Sequence, residues 1–162
     1  MTRQAVKPFH VVLINDDPAT METIRESIET ACPQVSLHCY EFLFDVVTRH
    51  TAPIDLVFID MTSVAGGVIG WQEFDRYLDP FVQFAREHSS AVFLICSALI
   101  HAAQDIAEEV RERLSGENTV VGSLDDCVGS AYVDAVIKYS PMSSKAKTSN
   151  RRRQRSAAHA TD

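Results

Sequence analysis

The chain has 162 residues, 46% of them apolar, enough for one globular domain to bury a core without disulfides or structural metal. Its formal charge of -7 is unevenly spread: from Lys145 onward six Lys or Arg stand against one acid, a net +5, which leaves -12 on residues 1–144. Such an acidic body argues against groove-reading of DNA by the folded part, and no apolar run is long enough to cross a bilayer.

Residues 1–8 read as an N-terminal extension, and MTRQAVKPFH holds no apolar stretch of the kind a signal peptide needs, so a cytoplasmic protein is expected. The first apolar run, Phe9 to Ile14, ends in Asn15, Asp16, Asp17 and Pro18. Met21, Ile24, Ile28 and Ala31 then mark one face of a helix that Asp17 is suited to cap and Pro18 to open. A second run, Val35 to Tyr40, precedes a short helix signalled by Phe42, Val46 and Val47. The third, Ile54 to Ile59, delivers Asp60.

After it comes MTSVAGGVIGWQEF, where Gly66, Gly67 and Gly70 permit unusual backbone angles, as a lid or a plain surface insertion would use. A helix is expected from Trp71 to His88, broken near Pro80. The fourth run, Ala91 to Cys96, delivers Ser97. Ile100, Ala103, Ala107, Val110 and Leu114 stripe the next helix, with Glu109 and Arg113 spaced to pair. The fifth run, Thr119 to Val121, is followed by Gly122 and Ser123. A last helix from Leu124 to Tyr139 would turn Cys127, Val128, Ala131, Tyr132, Ala135 and Val136 inward, with Asp125 and Asp126 at its positive end. Residues 140–162 are rich in Ser, Ala and basic residues without apolar periodicity and are expected to be disordered. Their RRRQR run, 151–155, reads as a solvated basic end, the one place where nucleic acid or an acidic partner would be held, by charge alone.

Strand and helix patterns thus alternate five times over residues 9–139, and the apolar runs are continuous and rich in β-branched residues. That predicts an α/β domain with a doubly wound, five-stranded parallel sheet covered on both faces. Parallel strands place all their carboxyl ends on one edge, so Asn15, Asp16, Asp17, Asp60, Ser97, Gly122 and Ser123 converge there. Carboxylates gathered without a cation repel; Mg²⁺ removes the conflict using one or two carboxylates, a carbonyl and retained waters. Beside such a metal a strand-end Asp is suited to attack a phosphoryl donor, and Ser97 to bond a phosphoryl oxygen.

The NDDP turn after the first strand, Asp60 ending DLVFID and Ser97 ending FLICSA resemble the receiver domain of two-component response regulators, a flavodoxin-like fold. The resemblance covers about residues 9–139. It implies that Asp60 is the phosphoacceptor, that Asp16 binds the metal directly, that the backbone carbonyl of Thr62 completes the metal site and that Ser97 is the switch hydroxyl. It further implies Mg²⁺-dependent transfer of phosphate from a histidine kinase or phosphotransfer protein, and signalling to a downstream protein through protein contacts. The stretch after Tyr139 is too short for a DNA-binding output domain, so a stand-alone receiver is expected. A one-residue shift of register would exchange Asp16 and Asp17.

The sequence also departs from the family. Asn15 stands where receivers carry the first of two acids; it can hold a metal-bound water but adds no charge. Gly122 and Ser123 occupy the places of the Lys and Pro that normally end strand five, no lysine lies between Lys7 and Lys138, and Thr119 replaces the usual aromatic. These losses favour a second reading, a pseudo-receiver that serves as an interaction module without phosphorylation. A third, a haloacid-dehalogenase-like phosphatase, is loosely resembled by DMT and SLDD, but lacks an acid at Thr62 and a motif lysine.

Cysteines 32, 39, 96 and 127 form no C-x-x-C pair and read as reduced, mostly buried thiols. Histidines 10, 38, 50, 88 and 101 show no metal-ligand spacing and read as structural or exposed. Trp71 and phenylalanines 42, 44, 58 and 93 read as core or rim.

Overall fold

The computed structural model describes residues 7–61, 74–97, 100–124 and 128–141. The elements run β1 Phe9–Ile14, α1 Pro18–Ala31, β2 Val35–Tyr40, α2 Leu43–Arg49, β3 Leu56–Asp60, α3 Phe74–Glu87, β4 Val92–Cys96, α4 Ile100–Arg113, β5 Val120–Ser123 and α5 Gly129–Tyr139. Every strand pairing is parallel, and the strand order is β2-β1-β3-β4-β5, the flavodoxin-like order with its switch point between β1 and β3. Thr62, the glycine-rich stretch, Trp71, Asp125, Asp126, Cys127 and the basic tail from 142 lie outside the described residues, as do the side chains of Ile100 and His101.

The two residue parities of each strand feed two separate cores. Val12, Ile14, Val57, Ile59, Phe93 and Ile95 are buried with residues of α2, α3 and α4; Val11, Leu13, Leu56, Phe58, Leu94 and Cys96 are buried with residues of α1 and α5. Double-sided burial of β1, β3 and β4 is the physical cause of their unbroken apolar runs. β2, at the sheet edge, is half-buried along all six residues. On the α1 and α5 side Phe58 meets Tyr132 edge-on at 4.9 Å, and on the other Phe93 is flanked by Phe81 and Phe84, each at 5.8 Å.

Several sequence expectations need correction. α3 runs through Pro80 without a break. A mid-helix proline costs about 3 kcal/mol, whereas Leu78, Phe81, Val82, Phe84 and Ala85 are all buried on the same helix, each larger side chain worth about 1.5–3 kcal/mol, so packing outweighs the lost backbone bond. β5 continues to Ser123, because the backbones of Gly122 and Ser123 pair with Leu94 and Ile95 whatever their side-chain propensity. Leu124 is still tied to the sheet by its N–H to Ile95 O at 2.9 Å, and α5 begins only at Gly129. Val128, at the cap of α5, is 51% exposed instead of inward. Phe44 is 73% exposed and Val47 57%, because α2 turns Leu43 and Val46 to the core. In α4, Ala103, Ala107, Val110 and Leu114 are buried as the stripe requires, joined by Ile106, and Arg113 pairs with Glu109 at 2.7 Å. Arg113 also reaches Asp79 of α3 at 3.0 Å, and Arg86 joins α3 to Glu117 at 2.9 Å.

Candidate functional site at the carboxyl edge of the sheet

β1, β3 and β4 are neighbours in the sheet, so their carboxyl ends lie side by side. The register pairs Ile14 with Ile59 and Asp60 with Cys96. Continued by one residue, it brings Asn15 opposite Asp60, and Ser97 directly follows Cys96 on β4. Asp16, Asp60 and Ser97 are all half-buried, open enough for solvent or a ligand to reach. Of the expected site residues the structure therefore gathers Asn15, Asp16, Asp60 and Ser97 at one edge; Thr62 lies outside the described residues.

The three polar residues after β1 have different surroundings. Asn15 is buried, 3% exposed. Its N–H donates to Tyr40 O at 3.1 Å, and its Oδ1 accepts the N–H of Asp17 at 2.8 Å. It locks the turn between β1 and α1 to the end of β2, a structural task that the acidic neighbours conceal in the sequence. The available signal is the Asn-x-Asp spacing of an Asx turn. Asp17 is exposed and caps α1: Oδ1 accepts the N–H of Ala19 at 3.2 Å and Oδ2 accepts the hydroxyl of Thr20. Those bonds, that of Thr20 first, hold its carboxyl below the usual value of 3.8. Asp17 is thus occupied as a helix cap, and Asp16 is the acid of the turn that the sequence reading assigns to a ligand.

Residues 15, 16 and 60 supply an amide oxygen and two carboxylates, a hard oxygen set suited to Mg²⁺. Asn15 Oδ1 already accepts one hydrogen bond, but a carbonyl oxygen has a second lone pair. No group of three or more His, Cys, Asp or Glu is gathered into a metal cage among the described residues. Mg²⁺ does not demand one, since it keeps several waters and takes one or two carboxylates.

Arg25 pairs with Glu22, Arg49 with Asp45, Arg86 with Glu117 and Arg113 with Asp79 and Glu109, all on helices or the turns beside them. At the end of β5, Gly122 stands in a tight place: a Cβ there would lie 3.3 Å from Leu94 Cδ2. At this edge β1 and β3 thus present carboxylates, β4 the Ser97 hydroxyl, and β5 a glycine and a hydroxyl.

No protein-family model and no curated protein sequence matches the chain. Solved structures do. A response regulator from Thermotoga maritima is similar at TM-score 0.59 and 14% identity, over 82% of this chain and 98% of that one. The chemotaxis response regulator CheY4 of Vibrio cholerae is similar at TM-score 0.56 and 12% identity, over 83% and 100%. An atypical orphan response regulator, described as revealing a phosphorylation-independent regulatory mechanism, is similar at TM-score 0.54 and 16% identity, over 81% and 94%. With five parallel strands in the order β2-β1-β3-β4-β5 and this likeness across four-fifths of its length, the chain has the fold of the response-regulator receiver domain.

Proposed function

We propose that the protein is a divergent receiver that accepts a phosphoryl group on Asp60 from a histidine kinase or phosphotransfer protein and passes the signal through protein contacts. One observation carries this reading: Asp16, Asp60 and Ser97 sit together, half-buried, at the carboxyl ends of three adjacent strands. A carboxylate oxygen of Asp60 attacks the phosphorus of the donor phosphohistidine, the P–N bond breaks, and the imidazole leaves as an acyl phosphate forms. Asp16, Asp60, the carbonyl of Thr62 and, through water, Asn15 would hold Mg²⁺. When bound, that ion would screen the carboxylates and the incoming phosphoryl oxygens. Ser97 would donate its hydroxyl to a phosphoryl oxygen, and Asn15 keeps the turn that presents Asp16 fixed to β2.

Asn15 and Gly122 favour the second reading, a pseudo-receiver that works by contacts alone, because they remove an acid and a lysine from the site. The two readings separate in one experiment. The chain is incubated with Mg²⁺ and acetyl phosphate and weighed intact, beside Asp60→Ala. The first reading expects a gain of one phosphoryl group, roughly 80 Da, that is absent from Asp60→Ala. An unmodified mass in the wild type, with no response to Mg²⁺ and beryllium fluoride, overturns it and leaves the pseudo-receiver. Turnover of phosphate esters would instead point to a phosphatase.

A further inference from the structure

Three histidines far apart in sequence meet under α2. The β1–β2 register sets His10 beside Ser36 and Val12 beside His38, so both imidazoles share the sheet face that packs on Leu43 and Val46. His50, at the end of α2, completes the group. The His10 and His38 rings stack at 6.0 Å and 20°, and His50 meets His38 edge-on at 4.8 Å and Tyr40 at 5.7 Å. Near-parallel rings do not aim their nitrogens at one point, so the arrangement is not a metal cage. His38 Nε2 bonds Ser36 Oγ at 3.1 Å, and His50 Nδ1 bonds the Tyr40 hydroxyl at 2.9 Å. His10 Nδ1 and His50 Nε2 are buried with no hydrogen-bond partner.

Before β3, the Asp55 carboxylate accepts the backbone N–H of His10 at 2.8 Å. On α2, the exposed Arg49 pairs at 3.2 Å with Asp45, whose side chain is 17% exposed. Beyond α3, His88 interacts electrostatically with His50 and with Glu87. Within β2, Ser36 and Tyr40 are neutral partners. His38, the central ring, is faced by two other imidazoles, and a proton on it places a cation between them at a half-buried position.

We propose that His10, His38 and His50 form a proton-sensitive clamp that holds the β2 edge and α2 to β1 while neutral and releases them when His38 is protonated. The clamp reaches the carboxyl edge of the sheet through one residue. Tyr40 is bonded to His50 by its hydroxyl and to the Asn15 N–H by its carbonyl, so loosening β2 also frees the turn that carries Asp16. This goes beyond the phosphoacceptor reading and does not depend on it. Burial, then His50 and His10, hold His38 below its ordinary value of 6.5. The unfolded chain therefore binds the proton first, and the clamp's contribution, complete above pH 6.5, is lost as the pH falls below it toward the folded-state value.

The test is hydrogen exchange of the full chain near pH 7.5 and pH 5.5, read as protection factors corrected for intrinsic rate. Protection of β2 is expected to fall severalfold more than that of β4, and this excess is expected to vanish in His38→Gln. Equal losses in β2 and β4, or an unchanged excess in His38→Gln, would overturn the proposal. Should His38→Gln not fold, NMR titration of the wild-type imidazoles decides: His38 titrating below its neighbours, whose signals move with it, supports the clamp. Three independent, ordinary titrations refute it.

Discussion

Asp16 and Asp17 are adjacent, and the carboxylate of Asp17 is committed to two donors of the following helix turn. Replacing Asp17 by Ala is expected to lower Tm by about 2–4 °C, the effect of one lost cap, while leaving any Mg²⁺-induced rise in Tm intact. Asp16→Ala is expected to abolish that rise. Because the carboxyl of Asp17 is depressed in the fold, its contribution is present above pH 3.8 and fades as the pH falls through the folded-state value. Melts of wild type and Asp17→Ala should therefore converge in acid. That Asp17 caps α1 was legible in the sequence, since the position before Pro18 is the cap. The burial of Asn15 was not, because it depends on the end of β2 lying alongside.

At the level of elements, α1 and α5 approach so closely that a Cβ on Gly129 would lie 2.5 Å from Ser27 Oγ and 3.2 Å from Ser27 Cβ. Gly129→Ala is expected to destabilise the fold by about 1–3 kcal/mol despite the better helix propensity of alanine, and Ser27→Ala in the same chain to recover part of the loss; denaturant midpoints give both values. The strands of the core were legible because burial on both faces leaves a run of apolar residues that a strand edge does not interrupt. The path of α3 was not. Pro80 is a local signal against a helix, and the side chains that overrule it, Phe81 and Phe84, draw their strength from Phe93 on another element. Phe44 misleads in the opposite direction: its apolarity suggests core, but α2 is short and only Leu43 and Val46 fit beneath it.

For the whole molecule, element order sufficed to predict the sheet, since alternating strands and helices with right-handed crossovers leave few arrangements. Strand ends then placed Asp60 and Ser97 without knowledge of any side-chain contact. The histidine cluster escaped the same reasoning because residues 10, 38 and 50 share no spacing; only the β1–β2 register and the length of α2 bring them together. Cys32 and Cys96 are buried and Cys39 is half-buried, and desolvation holds the Cys32 thiol above its ordinary value of 9.0 and pushes the Cys39 thiol up to about 11. Alkylation of Cys32 and Cys96 is expected to proceed at a rate set by the opening of the fold and not by the reagent, once that opening is slower than the chemistry, with the half-buried Cys39 reacting ahead of them. Mass spectrometry of the alkylated chain would then time individual unfolding events, a clock already built into the sequence at positions where no probe need be introduced.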